Sequence, residues 1–219
     1  PERPLVAVRR VRAPHAQPRF RVTDVAKARA MPGVRLVLTG ADVTDLGPLP
    51  CVGLPPGLKV DAPPYQILVR DTARHVGDAI AFVVAETLEQ AKDAAEAIAI
   101  EWEPLPPVIG GEAALATDAP KVWPDRRDNL AYTLELGEAK PSQAAFAKAA
   151  HVVELTIVNQ RLVTNYLDTR GVIATYDGKD DLTTLTLGSQ GSHAVRDIIA
   201  GHVLRIKPER MRVITPDVG

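Results

Sequence analysis

The densest group of polar side chains lies between residues 158 and 171. Arg161, Asp168 and Arg170 stand there among amides and short apolar residues. A carboxylate flanked by two guanidinium groups can form a charge-assisted network that holds a loop in place. The same groups could instead line a polar pocket and orient an anionic or heteroaromatic ligand. Residue types alone leave both interpretations open.

A second candidate is Gln190, which follows a strand-like run at 182–187 and precedes a helix-like run that starts near Ser192. Ligands often bind at such strand-to-helix turns, where free backbone N–H groups can meet an anion. Gly188 and Gly191 would let a bulky ligand approach the backbone. Alternatively, Ser192 caps the helix and Gln190 is a solvated turn residue.

Other sites of catalysis or metal binding have no specific sequence support. Cys51 is the single cysteine, which excludes an internal disulfide, a thiolate zinc cage and an iron–sulfur cluster held by these residues alone. The histidines show no metal-binding spacing, so we expect no metal held by protein side chains. Nucleophile elbows, phosphate-binding glycine loops and dinucleotide fingerprints do not occur. The sequence therefore lacks the usual signatures of hydrolases and nucleotide-binding proteins.

The composition is that of a folded, water-soluble protein. Of 219 residues, 46% are hydrophobic and 24% are charged, enough for one generous core or two modest ones. The formal net charge is −1 and no long run of like charges occurs, so nucleic acid is not an expected partner. The apolar runs are too short to cross a bilayer and no leader-like segment opens the chain, so we expect no membrane partner and a cytoplasmic location.

Strand-like and helix-like runs alternate along the chain, which indicates a mixed α/β, or α+β, fold. Apolar runs predict strands at 34–38 and 75–85. Thr87 and Gln90 have the spacing of a capping box, so we expect a helix that starts at Thr87 and presents alanines to the core. Residues 98–102 then return to a strand pattern. The sequence thus predicts a strand–helix–strand unit in the first half.

A proline-rich segment separates two modules. Its prolines and Gly110-Gly111 disfavour any sustained helix or strand. We therefore divide the chain into 1–106, a linker at 107–129, and 130–219. Within the second module the patterns predict strands at 132–136, 151–159 and 211–214, a strand pair around Asp177-Gly178, and helices at 142–150 and 192–204.

Short motifs follow one another in a definite order. In the first half they are Arg12-Ala13-Pro14-His15-Ala16, Met31-Pro32-Gly33-Val34, Leu38-Thr39-Gly40-Ala41-Asp42, Ala85-Glu86-Thr87 and Glu101-Trp102-Glu103-Pro104-Leu105-Pro106. In the second half they are Asn159-Gln160-Arg161-Leu162, Asp168-Thr169-Arg170-Gly171, Gln190-Gly191-Ser192-His193 and Pro216-Asp217-Val218-Gly219. In order and spacing they resemble the amino-terminal part of the large, molybdenum cofactor-binding subunit of the xanthine dehydrogenase, aldehyde oxidase and carbon monoxide dehydrogenase family.

The resemblance implies an α/β-hammerhead domain followed by the start of the first molybdopterin-binding domain. It places Gln190 beside the molybdenum oxo group, and we expect Arg161, Asp168 and Arg170 to brace the pocket wall. The implied cofactor is molybdenum–molybdopterin. FAD and [2Fe-2S] clusters are expected on partner subunits or segments, in an assembled complex that forms a homodimer.

By the same resemblance, the parent protein is an oxidoreductase that hydroxylates an aldehyde or N-heterocycle with oxygen from water, or oxidises carbon monoxide. The later pterin-binding loops and the general-base glutamate of the family have no counterpart in these residues. We therefore expect no catalytic residue here and no activity from this chain alone. An alternative role is a non-catalytic assembly module of such a complex, and a third is an independent small-molecule-binding domain.

Overall fold

The structure is a computed structural model that describes residues 5–55, 57, 58, 60, 62–160, 162, 163, 167 and 170–218. Its strands are β1 (Ala7–Arg12), β2 (Pro18–Asp24), β3 (Val34–Thr39), β4 (Ala79–Ala85), β5 (Ala99–Pro104), β6 (Val172–Asp177), β7 (Leu182–Leu187) and β8 (Met211–Ile214). Its α-helices are α1 (Ala26–Arg29), α2 (Leu88–Glu96), α3 (Gly111–Leu115), α4 (Ala139–Lys148) and α5 (Ser192–Asp197). A π-helix (Ile198–Leu204) continues α5, and a 3-10 helix (Pro208–Arg210) leads into β8. The mixed helix and strand content confirms the predicted fold class.

The first half is built around β4, which lies between β1 and β3 in an antiparallel sheet. Both faces of β4 are covered, since Val83 packs in the cluster with α2 and Ile80 packs in a second cluster with Phe20. The strand can therefore be almost wholly apolar, and Ile80 and Val83 are fully buried. The helix α2 packs its buried Ala91 and Ala94 against this sheet. These contacts form the largest apolar cluster among the described residues.

The capping box is confirmed at the start of α2. The backbone N–H of Gln90 donates to Oγ1 of Thr87, and the N–H of Thr87 donates to Oε1 of Gln90, at 3.2 and 3.0 Å. Two N–H groups that have no partner inside the helix are thereby satisfied. After α2 the chain enters β5, which pairs with β2 in a separate antiparallel sheet. The strand–helix–strand order is as predicted, but its two strands belong to different sheets.

The strand predicted at 75–85 begins later than expected, at Ala79. The buried carboxylate of Asp78 accepts hydrogen bonds from the Arg74 backbone N–H (2.6 Å) and the Tyr65 hydroxyl (3.1 Å), and it lies 2.9 Å from Nε2 of His75. These bonds hold residues 74–78 in a turn. The local polar contacts of Asp78 therefore override the apolar pattern that favoured an earlier strand.

The proline-rich segment is folded against the first half. Its regular structure is limited to the five-residue helix α3, in keeping with the predicted lack of a sustained element. The side chain of Asn129 bonds the carbonyls of Ala114 and Pro120 and the N–H of Val122, all within 3.0 Å. The guanidinium of Arg74 lies 3.5 Å from the ring centre of Trp123. This cation–π contact joins the segment to the first half.

In the second half, β7 lies between β6 and β8, antiparallel to β6 and parallel to β8. The predicted strand pair around Asp177-Gly178 and the strand at 211–214 are therefore confirmed. The predicted helix at 192–204 also forms, although its second half is a π-helix. Its Ala200 packs on Leu185 and Met211 of the sheet.

Two predicted strands, at 132–136 and 151–159, are wrong. Neither segment has a ladder of backbone hydrogen bonds to another strand within the described part of the chain. Many of their apolar side chains are exposed, as are all residues of α4, which covers 139–148 rather than 142–150. Their apolar patterns are typical of strands, but a strand requires a pairing partner that local sequence does not supply. Among the described residues, no helix combines the length and apolarity that crossing a bilayer requires.

The buried position of Ile80 gives the first prediction. Replacing Ile80 with alanine leaves a cavity beneath β4, so we expect the free energy of unfolding to fall by about 2–5 kcal/mol. Urea denaturation followed by tryptophan fluorescence, to which Trp102 of the same cluster contributes, measures this loss. The matched control is Ile109→Ala, since Ile109 is 75% exposed, and it should change stability by less than about 0.5 kcal/mol. Equal losses in the two variants would contradict the proposed core.

The turn after β3 gives a prediction about pH. The hydroxyl and backbone N–H of Thr39 both donate to Oδ2 of Asp42 at 2.7 Å, which lowers the pKa of the Asp42 carboxyl below its ordinary value of 3.8. A lowered folded-state pKa contributes stability above pH 3.8, and this contribution is lost as pH falls through the folded-state pKa.

We therefore expect Asp42→Asn to destabilise the protein near neutral pH and to lose this effect in acid. Urea denaturation of both proteins from about pH 7 to about pH 3 provides the measurement. The exposed Asp45, changed to Asn, serves as the control. A stability difference for Asp42→Asn that stays constant over this range would rule out the assigned role of the carboxylate.

Candidate functional site

The candidate site lies at one edge of the second-half sheet. Because β7 and β8 are parallel, with Thr186 opposite Ile214, both strands end at the same edge. The chain leaves β7 through residues 188–191 and leaves β8 through residues 215–218. Ligands of sheets with parallel strands commonly bind outside the carboxyl ends of those strands.

A side-chain hydrogen bond joins these two exits. Oγ of Ser189 and Oγ1 of Thr215 lie 2.9 Å apart. A side chain built on Gly188 would come within 3.7 Å of the carbonyl oxygen of Asp217, which is ordinary contact. The bond fixes the backbone directly before Gln190, while Gln190 itself remains exposed. Its amide is thus accessible to a ligand.

The helix after Gln190 starts with free donors. Gly191 occupies the position before the first helical residue, and no side chain caps the helix. Ser192 is the first helical residue, so the alternative in which Ser192 caps the helix is wrong. The first bond within the helix runs from the Val195 N–H to the Gly191 carbonyl, at 3.1 Å. The N–H groups before Val195 therefore have no acceptor within the helix, and this turn contains no acidic side chain.

Arg170 lies at the same edge as Gln190. In the antiparallel pair β6–β7, Val172 stands opposite Leu187. Arg170 is two residues before Val172 and Gln190 is three residues after Leu187, so both flank this edge, and both are exposed. Arg161 and Asp168 lie outside the described residues. Whether these three charged groups brace a pocket stays a prediction.

The first half contains a cleft whose charged surroundings differ from those of the edge that carries Gln190. That cleft, of about 980 Å³, lies between β2, α1 and the turn after β3. Its charges are of both signs, and Arg29 and Asp42 form an ion pair across it at 3.5 Å. Among the described residues, no three His, Cys, Asp or Glu side chains are placed to hold a metal ion together. Size alone therefore does not identify the cleft as a reactive site.

Sequence reasoning missed the contact between Ser189 and Thr215. The two hydroxyl residues are 26 positions apart, and neither has a local signature beyond its place in a loop. Parallel pairing of the 182–187 and 211–214 strands would have brought the two residues together. That pairing was not part of the sequence prediction.

Comparison with protein-family models confirms the resemblance seen in the motifs. Residues 5–106 match the a/b hammerhead domain of aldehyde oxidase and xanthine dehydrogenase. Residues 122–219 match the molybdopterin cofactor-binding domain. The two models lie in succession along nearly the whole chain.

Curated relatives indicate the same family. The chain is 29% identical to the carbon monoxide dehydrogenase large chain of Afipia carboxidovorans over 95% of its length, which is 26% of that protein. It is 32% identical to the nicotinate dehydrogenase large molybdopterin subunit of Eubacterium barkeri over its full length, which is 48% of that protein. The chain thus spans about a quarter to a half of the length of these relatives.

Solved structures share the fold. Quinoline 2-oxidoreductase from Pseudomonas putida 86 superimposes with a TM-score of 0.82 at 32% identity, over 98% of this chain and 27% of that chain. The Cu,Mo-CO dehydrogenase matches with a TM-score of 0.81 at 26% identity, over 98% of this chain and 28% of that chain. The agreement covers both halves. The chain belongs to the xanthine dehydrogenase and aldehyde oxidase family of molybdenum hydroxylases, and it corresponds to the hammerhead domain and the beginning of the molybdopterin-binding domain of the large subunit.

Proposed function

We propose that the parent protein is a molybdenum hydroxylase that hydroxylates an aldehyde or N-heterocycle with oxygen from water, or oxidises carbon monoxide. In this proposal residues 1–106 are the hammerhead domain, 107–129 the linker and 130–219 the incomplete first cofactor-binding domain. The observation that carries the proposal is the exposed amide of Gln190, held at the carboxyl edge of β7 and β8 beside an uncapped helix start.

The groups at this edge suit the oxygen atoms of a molybdenum–molybdopterin cofactor. Gln190 offers a side-chain N–H₂, and the first turn of α5 offers backbone N–H groups. The first turn holds no carboxylate that would repel an anionic phosphate or a metal-bound oxygen ligand. A donor-rich edge without acidic side chains in this turn therefore fits the cofactor.

The chain's own contribution is positioning. The cofactor, when bound, supplies the transfer of oxygen to the substrate and accepts an electron pair from it. Gln190 donates a hydrogen bond to the cofactor, and the bond between Ser189 and Thr215 fixes the backbone from which Gln190 projects. Arg161, Asp168 and Arg170 brace the neighbouring wall. The general base and the remaining cofactor contacts come from other segments of the parent protein.

Partner subunits complete the electron path in this proposal. Relatives of the chain are named as a large chain or a large subunit, which supports an assembly of several polypeptides. We infer that FAD and [2Fe-2S] clusters reside on those partners or on other segments, and that the assembled complex is a homodimer in the cytoplasm. This chain holds a single cysteine, too few for a cluster of its own.

Metal content tests the proposal most directly. We expect about one molybdenum atom per protomer in the full-length protein purified from its native host, and none in residues 1–219 alone, since a site assembled from several segments requires them all. Elemental analysis by mass spectrometry gives both values. If the full-length protein holds no molybdenum, the enzyme proposal fails, and the alternative of a non-catalytic assembly module takes its place.

The role of Gln190 predicts a kinetic effect. Gln190→Ala in the full-length protein should lower kcat/KM by about a hundredfold, because a preorganised donor near the reacting centre is lost. Quinoline, nicotinate, an aliphatic aldehyde and carbon monoxide, each assayed with a dye acceptor, identify the substrate to use. The matched control is Gln143→Ala, on the exposed helix α4, which should leave kcat/KM within about twofold. Equal activity of the two variants would remove Gln190 from the site.

A further inference from the structure

Gly47 joins the two halves of the chain through its backbone. It lies in the loop that leaves β3, yet its N–H donates to the carbonyl of Val203 at 2.8 Å. A side-chain Cβ built on Gly47 would lie 1.7 Å from the carbonyl oxygen of His202. No side chain can occupy that space unless one of the two backbones moves. Position 47 therefore requires glycine in this arrangement.

The helix end that Gly47 contacts has a carbonyl to satisfy. The last carbonyls of a helix have no N–H partner within the helix. Here the π-helix stops at Arg205, whose φ of 54° and ψ of 40° are left-handed, and the Ile206 N–H turns back to the Ala200 carbonyl. Val203 is buried, so solvent does not readily serve its carbonyl. The Gly47 N–H, from the other half of the chain, supplies the bond.

The same helix leads back to Gln190. It runs from Ser192 to Leu204 as α5 followed by the π-helix, and Gln190 lies two residues before its start. Buried Ala200 packs the helix against β7 and β8. A packed helix moves largely as one body, so a displacement at Val203 is transmitted to its first turn. π-Helical turns are also frequent near functional sites.

The geometry points to Gly47 as a positioning residue for the edge at the carboxyl ends of β7 and β8, where the cofactor is proposed to bind. Its N–H bond and its missing side chain fix the helix at 192–204 against the first half, and the helix in turn fixes the backbone that carries Gln190. The effect on the cofactor rests on the proposed function, whereas the contact between Gly47 and Val203 does not. The hammerhead half thus acts as a support for the candidate site in the second half.

A close contact of Gly40 clarifies why Gly47 differs from other glycines. A Cβ on Gly40 would lie 2.7 Å from the carbonyl oxygen of Val69. That contact stays within the first half and concerns only local packing. At Gly47 the opposing backbone belongs to the helix that begins beside Gln190.

The test compares Gly47→Ala with Gly201→Ala in the full-length protein. Gly201 lies on the same π-helix, and a Cβ built there has no neighbour within 4 Å. Hydrogen exchange measured by mass spectrometry reports on the peptides that contain Gly47 and residues 192–204. The Mo(V) electron paramagnetic resonance spectrum after dithionite reduction reports on the cofactor environment without a choice of substrate.

In the unchanged protein we expect the Gly47 amide to exchange at least about tenfold more slowly than a solvated loop amide. Gly47→Ala should speed exchange at 192–204 by about tenfold or more and alter the Mo(V) spectrum, whereas Gly201→Ala should change neither. Fast exchange at Gly47 in the unchanged protein would contradict the hydrogen bond between Gly47 and Val203. This measurement does not depend on whether a variant folds.

The two proposals can fail separately. Faster exchange in Gly47→Ala with an unaltered Mo(V) spectrum would leave Gly47 as a purely structural contact and overturn its positioning role. A protein without any Mo(V) signal would refute the proposed function, and with it the positioning role. Hydrogen exchange would still test the contact between Gly47 and Val203. Equal exchange at 192–204 in both variants would refute the proposal that Gly47 fixes this helix.

Discussion

Parallel pairing of β7 with β8 forces the chain to cross from one end of the sheet to the other between the two strands. The helix at 192–204 makes this crossing, packed by Ala200 on the sheet. The crossing begins at the carboxyl end of β7, so the residues that follow β7, among them Gln190, leave the sheet at that edge. The end of β8 reaches the same edge, where Thr215 meets Ser189. The location of the candidate site follows from this single pairing.

The two halves of the chain are stabilised to different degrees. In the first half, β4 is buried between two strands and under α2. The two apolar clusters of this half include most of the buried residues among those described. In the second half, the described core is small, and every residue of β6 is exposed, including Val172 and Ile173. Apolar surface of this extent usually contacts other protein elements. It supports the proposal that further segments of the parent protein complete the cofactor-binding domain.

Sequence signals were reliable where the determining contacts are local. Thr87 and Gln90 are three residues apart and satisfy each other, so their spacing predicted the start of α2 correctly. The strand at 211–214 was also predicted, and here the distant partner that its pattern requires is present in β7. The segments at 132–136 and 151–159 have similar patterns but form no strand, since pairing depends on a distant partner. Local pattern indicates what a segment can become, and tertiary contacts decide what it becomes.

The same distinction applies to the candidate site. Motif order singled out Gln190 as a candidate, because the resemblance concerns short runs of neighbouring residues. The contacts around this candidate are different in kind: the hydroxyl groups of Ser189 and Thr215 join two loops, and the Gly47 N–H joins the two halves of the chain. Gly47 reads in the sequence as an ordinary turn residue before Pro48, and nothing local distinguishes it from glycines whose surroundings are open. A candidate functional side chain can thus be found from its neighbours in sequence, whereas backbone contacts between distant segments become visible only in the fold.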